Sequence, residues 1–353
     1  MKILDRYIAA AVITGTLIAL LIVVGLDIFF NVIAQLDNVG RENYTLMTLI
    51  QFVALITPQS MYQLFPMAAL LGSLMGMGAL SANSELIAMR AGGLSVWRII
   101  RSVLQTGVLM LVVAVFVGEM IAPVAEREGQ NLRTAAMNRG VTFLSSRGLW
   151  VRDDNLFINA RKVLTDNTLA DVTVYEFYED GSLKLVTQAV EAHYEDGQWI
   201  MKEVSQSEFT PERVLSRHDE QLARTSSLTP DLLGIVALKP ENMSIRDIDQ
   251  FMDYLEENGL DSGQYKYAFW GRFMTPFAAL VMLFISVPFV FGSLRSVSAG
   301  QRVFIGMLVG FGFYLLSQVV TQMGQVFGFN PLLTVILPGL VFLLFGIHAV
   351  RRL

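Results

Sequence analysis

Apolar residues gather in six long runs, three before and three after a polar block that extends from Pro123 to Gln264. The runs are Ile8–Ile33, Leu46–Leu80, Ile99–Ala122, Tyr267–Phe291, Val303–Val320 and Leu332–Val350. Each approaches or exceeds the ~20 apolar residues that a helix needs to cross a hydrocarbon layer about 30 Å thick. The pattern predicts an α-helical membrane protein with helices 1–3 in residues 1–122, an inserted domain over 123–264 and helices 4–6 in 265–353. Leu46–Leu80 exceeds one crossing and carries Pro58 and Pro66, so it reads as a lead-in segment plus one span. The first run follows Lys2 and Arg6 as a signal peptide would. It is too long for a signal sequence and no small-x-small site follows, which predicts an uncleaved first helix.

The inserted block has the rhythm of strands. Val172, Val174, Glu176 and Tyr178 alternate with Thr173, Tyr175 and Phe177. Asp180-Gly181 and Asp196-Gly197 punctuate the stretches 171–178, 182–190, 192–194 and 199–204, and Asp-Gly between such runs is a specific hairpin signal. Short, regular strands predict a sandwich or jelly-roll-like pair of sheets. Near the end of the block, Ser244 with Asp247 fits a helix N-cap, and Ile245, Ile248, Met252 and Leu255 form one apolar stripe before Gly259. Two readings stand for this helix: packing on the strands, or a lever between them and the fourth span.

Composition sharpens the picture. With 53% hydrophobic and 16% charged residues in 353, the chain is too apolar for an ordinary soluble protein. If the N-terminus is cytoplasmic, Lys2, Arg6, Arg90, Arg98, Arg101, Arg295, Arg302, Arg351 and Arg352 all fall on that side, against Arg41 alone in the two short loops opposite. The positive-inside rule then places both termini in the cytoplasm and the polar block outside. Residues 125–265 carry 25 acidic and 14 basic side chains, which argues against nucleic acid as a partner. Cysteine is absent, so disulfides and thiolate chemistry are excluded. No Gly-Lys pair exists for a phosphate-cradling loop, and His193, His218 and His348 form no HExxH. The chain is expected to be no enzyme and to bind no metal or cofactor. Energy must come from a partner or an ion gradient.

The candidate chemistry lies in a few places. Between spans two and three, residues 82–93 predict a short helix capped by Asn83 or Ser84, with Leu86, Ile87 and Met89 as apolar knobs between Glu85 and Arg90 and a stop at Gly92-Gly93. It reads as a helix docking a cytoplasmic partner or as an interfacial turn. Phe29, Phe30, Phe65, Phe311, Phe313 and Tyr314 line a wide apolar cavity or are ordinary lipid-facing and core aromatics. Arg133, with Arg127 and Arg139, suits a lipid phosphate or is a solvated charge. Gly72…Gly76 and Gly306…Gly310 permit close helix contact, within the chain or between subunits. Asp27, inside span one, is the one carboxylate at a costly depth, and Glu119 is expected at an interface.

Leu4-Asp5-Arg6-Tyr7, Phe65-Pro66-Met67-Ala68-Ala69-Leu70-Leu71-Gly72, Ser84-Glu85-Leu86, Gly234-Ile235-Val236-Ala237-Leu238 and Phe291-Gly292-Ser293-Leu294-Arg295-Ser296-Val297 occur in this order along the chain. Together they resemble the LptF/LptG permeases of the lipopolysaccharide exporter, an ABC transporter of Gram-negative bacteria, and its LptG branch most. The resemblance implies an inner-membrane subunit with a periplasmic β-jelly-roll-like domain. It also implies a heterodimer with an LptF paralogue, an LptB ATPase dimer beneath, LptC alongside, and lipopolysaccharide passed to a periplasmic bridge. Ser84, Glu85, Leu86, Met89 and Arg90 would couple to the ATPase. Phe30, Asn31, Phe65, Arg133, Phe311 and Tyr314 would face substrate. The chain departs from the family pattern at the outer end of span one, where lysines give way to Asn31, Asp37 and Asn38, which leaves Arg41 or the partner subunit to hold phosphate. A competing expectation is a mechanotransmission protein whose helices relay ATPase strokes without carrying substrate. A secondary transporter would rest on Asp27 alone.

Overall fold

The computed structural model describes residues 3–137, 149–153, 155–164, 167–178, 180–210, 213–226, 229–230, 239–291 and 298–352. Arg139, the 234–238 motif and residues 292–297, including Arg295, lie outside the described residues. Among the described residues, six helices are long and apolar enough to span a membrane. The first is α1 (Ile3–Leu36). Helix α2 (Leu46–Ala82) follows, its N-terminus capped by the Thr45 hydroxyl accepting from Thr48 N–H. A short α3 (Glu85–Ala91) leads to α4 (Val96–Phe116), capped by Ser95. Helix α4 runs through a π turn (Val117–Ile121) into α5 (Ala122–Ala136).

Two expectations about these helices need correcting. Pro58 and Pro66 do not divide α2, which is one helix of 37 residues. Neighbouring helices cover it (67% of its most apolar window is buried), and packing of this kind lets a membrane helix absorb the hydrogen bonds that proline removes. The third helix does not stop at Ala122 either. Residues 123–136, which the sequence assigned to the polar domain, continue it within α5 (Ala122–Ala136).

The inserted sheet contains β1 (Leu149–Asp153), β2 (Leu156–Leu164), β3 (Thr168–Phe177), β4 (Leu183–Glu195), β5 (Gln198–Phe209) and β6 (Val214–Arg224). All neighbours are antiparallel and the strand order follows the sequence. Gly181 and Gly197 take φ of 81° and 82° in two of the turns, as their hairpins require. The jelly-roll-like domain therefore takes the form of a single meander, because every connection is a short hairpin and none is long enough to cross between two sheets.

That meander coils on itself. The register puts Leu215 of β6 level with Glu176 of β3, through Leu185 and Glu208. Arg224 lies nine residues further along β6, about 30 Å away at roughly 3.3 Å per residue. Yet Arg224 Nη2 is 2.9 Å from Glu176 Oε2. Distant corners of the sheet meet, and Lys184 Nζ joins the same carboxylate at 2.6 Å.

A 3-10 turn (Pro240–Asn242) precedes α6 (Ile245–Glu257), capped by Ser244 as its sequence predicts. Ile248, Phe251, Tyr254 and Leu255 of α6 pack with Ile158, Val172, Val174, Ala189 and Val204 in one core. Tyr254 donates to Arg152 O at 2.8 Å, fixing the helix to β1. Helix α7 (Gly263–Phe291) then enters the bundle, followed by α8 (Ala299–Phe327), with a Ser298–Gln301 capping box, and α9 (Pro331–Arg351), capped by Asn330.

Helices α2 and α7 form the centre of the bundle, joined by a buried Ser73–Ser286 hydrogen bond of 2.6 Å. Gly72 abuts the Gly15–Thr16 backbone and Gly76 abuts Ala11, while Gly306 meets Leu71 and Leu74 and Gly310 meets Met67. Both glycine pairs thus serve packing inside this chain. They seat α1 and α8 on two sides of α2.

Candidate functional site

The turn from α2 into α3 is tight. Ser84 sits at φ 60°, ψ 11°, and its side chain makes no capping bond. Glu85, at the first position of α3, accepts from Tyr7 Oη at 2.7 Å and from Asn83 Nδ2 at 3.3 Å. The carboxylate therefore ties α3 to the beginning of α1. Leu86 is 1% exposed and belongs to the main membrane core with Leu74, Ile99 and Val287. Met89 packs partly on that core, and the Arg90 guanidinium lies 5.7 Å from the centroid of the Phe291 ring. Leu86 is thus a root rather than a docking knob, because its side chain points back into the bundle. Ile87, 42% exposed, is the apolar knob that stays open.

A second surface forms where α1 and α8 flank α2. Only 11% of the most apolar window is buried in each of these two helices. Leu17, Leu21, Phe29 and Phe30 are exposed on α1, as are Phe304, Leu308, Phe311, Tyr314 and Val319 on α8. Phe311 and Tyr314 are each half exposed, and Tyr314 Oη accepts from Gln318 Nε2 at 3.3 Å. Phe313 instead packs edge-on against Phe342, at 5.1 Å. Phe65 is also off this wall, at 7% exposure inside the core, so its expected contact with substrate is not supported by its position. In an all-apolar helix the pattern along the chain does not say which aromatics face inward.

The polar residues cluster at the sheet end. Asn31 Nδ2 donates to the Asp27 carboxylate at 2.9 Å and to its backbone carbonyl at 3.0 Å, so the intramembrane acid has a donor on its own helix. Arg133 of α5 lies with its guanidinium 5.5 Å from the Phe52 ring centroid. Phe52 shares a cluster with Ile28 and Val32 of α1, which brings Arg133 to the same corner as Asn31. Among the described residues, no group of three or more His, Asp or Glu side chains is placed to hold a metal ion.

The family model described as "Lipopolysaccharide export system permease LptF/LptG" matches residues 6–352. The chain belongs to the LptF/LptG family. It is 33% identical to the lipopolysaccharide export system permease protein LptG of Escherichia coli (strain K12) over 353 residues, covering 99% of this chain and 98% of that protein. It is 31% identical to LptG of Haemophilus influenzae over 342 residues, 96% of each. As an LptF/LptG permease with six apolar helices, it is a multi-pass inner-membrane protein of the lipopolysaccharide export system. The candidate residues that sequence reading picked out fall at two ends of the molecule, α3 at one and the Asn31–Arg133 corner at the other, with the α1–α8 wall between them. One contact of this chain was missed. Glu119 and Arg272 meet where α6 joins the bundle. The available signal was Arg272 itself, a lone cation inside the fourth apolar run.

Proposed function

We propose that this chain is one half of a lipid-extracting permease, working with an LptF paralogue, an LptB ATPase dimer and LptC. Both termini lie in the cytoplasm and the sheet stands in the periplasm. ATP is hydrolysed by the partner, not by this chain. The observation that carries the reading is the exposed apolar wall of α1 and α8 on either side of a sealed α2. A second permease facing it encloses an apolar chamber, and acyl chains enter sideways past α1 or α8. Each CH₂ withheld from water saves about 0.8 kcal/mol, so several acyl chains require tens of kcal/mol of continuous shelter during transfer.

Helix α3 receives the ATPase stroke through Ser84, Glu85, Met89, Arg90 and the exposed Ile87, while Leu86 roots it in the bundle. The Tyr7–Glu85 hydrogen bond carries that motion to α1, one face of the chamber. Arg133 and the corner beside it meet the lipid phosphates. The lipid then passes to the sheet and on to a periplasmic bridge.

One observation favours the mechanotransmission alternative: α6 fills the apolar face of the sheet with Ile248, Phe251, Tyr254 and Leu255. Photocrosslinking in living cells decides between them. Probes at Phe311, Tyr314 and Leu185, which shares a sheet face with buried Thr187 and Ala189, are expected to trap lipopolysaccharide. Adducts from none of the three would defeat the export chamber. Tyr175 serves as the control, since it stacks on Trp150 on the face opposite Val174.

A further inference from the structure

The junction between α6 and the membrane bundle rests on one buried arginine. Arg272, on α7, has a side chain 4% exposed and faces Glu119 of the π turn at 3.3 Å. Its Nη1 donates to Gly118 O at 3.2 Å and its Nη2 donates to Met243 O. The guanidinium stands 5.4 Å from the Tyr62 ring centroid, and Tyr62 Oη donates to Arg272 O at 3.0 Å. Glu119 Oε2 meanwhile accepts from Ile245 N–H, the first amide of α6, at 2.9 Å. Four segments converge here: α2, the π turn, the start of α6, and α7.

Local chemistry explains the arginine. Within the π turn Ala122 N–H donates to Val117 O, five residues back. The next donor in that pattern would be residue 123, which is proline and has no N–H. Gly118 O is therefore left open in the helix, and Arg272 satisfies it. Glycine is required at 118, because a Cβ there would lie 2.4 Å from the Tyr62 ring. The cluster also has one bond unmade. Glu119 Oε1 and Arg272 Nε are both buried without a hydrogen-bond partner, although the two side chains form an ion pair.

We infer that Arg272 is a positioning residue for lipid transfer: it clamps α6, which fills the sheet, to the π turn and α7, so that rearrangement of the membrane helices is delivered to the sheet. This rests on the export reading above. π turns inside α-helices recur at functional sites, and here the turn, the arginine and the first amide of α6 are bonded together. Rotation of α4 or α7 changes which acceptors Arg272 holds, and α6 must follow.

The test uses the complete transporter with cysteine-free partner subunits. Because this chain has no cysteine, spin labels at Asn43→Cys and Asp253→Cys report the position of α6 against the bundle without background. Arg272→Gln is expected to broaden the label-to-label distance distribution and to lower lipopolysaccharide release per ATP hydrolysed at least fivefold, with hydrolysis within twofold of wild type. Arg272→Lys is expected to recover part of both. If Arg272→Gln does not assemble, Glu119→Gln, which keeps an acceptor for Ile245 N–H, is read the same way. An unchanged distance distribution overturns the clamp, and so does release that falls only in proportion to hydrolysis. Wild-type complex that releases no lipopolysaccharide would count against the export reading, while the label distances still decide the clamp.

Discussion

Leu86 and Ile87 are neighbours with opposite fates, and the contrast separates anchoring from docking. Leu86→Ala opens a cavity in the membrane core and is expected to destabilise the chain by about 2–5 kcal/mol, read as a lowered thermal midpoint in detergent. Ile87→Ser is expected to leave that midpoint unchanged and to weaken ATPase association. If Ile87→Ser leaves binding intact, the exposed knob is not a docking contact. Glu176 offers a second test. The hydrogen bond from Lys184, reinforced by Arg224, holds its carboxyl below the usual glutamate range. A depressed folded value means that the clasp stabilises fully above the ordinary glutamate value and is lost as pH falls through the folded one. Protection factors of β3 and β6 amides should therefore fall as pH drops below the ordinary glutamate range, and Glu176→Gln should flatten that dependence. Single side chains were the least legible part of the sequence. Glu85 stood out because a charge flanked by apolar residues is conspicuous in a short loop. Phe65 and Leu86, read as open to substrate or partner, are buried, since hydropathy records that a residue avoids water and both core and lipid satisfy that.

Helices and strands were far more legible, since a span needs only an uninterrupted apolar sum and a hairpin only its Asp-Gly turn. The misreadings came where neighbours decide. Pro58 and Pro66 would end a solvated helix but are tolerated in α2, which is enclosed by α1, α7 and α8. The π turn was unreadable because nothing in Val117–Ile121 marks it, and Pro123 acquires meaning only once Arg272 is opposite. The seating of α1 on α2 gives a sharp test. A Cβ at residue 72 would lie 2.1 Å from Thr16 Cα, so backbone must move. Gly72→Leu is expected to abolish accumulation of the folded permease, whereas Gly25→Leu, where a Cβ meets nothing within 4 Å, should be tolerated. Equal yields of the two variants would refute this account of the α1–α2 contact.

Taken whole, the molecule has the short helix α3 at one end, then an apolar wall and then a sheet, in that order along its length. The three-plus-three plan was visible from charge and hydropathy, while the coiling of the sheet was not, because Arg224 and Glu176 meet only after the three hairpins between β3 and β6 have formed. The absence of native cysteine makes orientation directly measurable. In intact cells opened only at the outer membrane, Asp253→Cys should react with a membrane-impermeant maleimide and Arg351→Cys should not. The reverse pattern would invert the topology and remove the basis for docking at α3.

The unbroken rod from Val96 to Ala136 outreaches a bilayer. At about 1.5 Å per residue its 41 residues extend roughly 60 Å, against about 45 Å for a bilayer with its headgroups. Stood upright, the rod leaves roughly 15 Å beyond the headgroups, a stem between the lipid surface and the sheet.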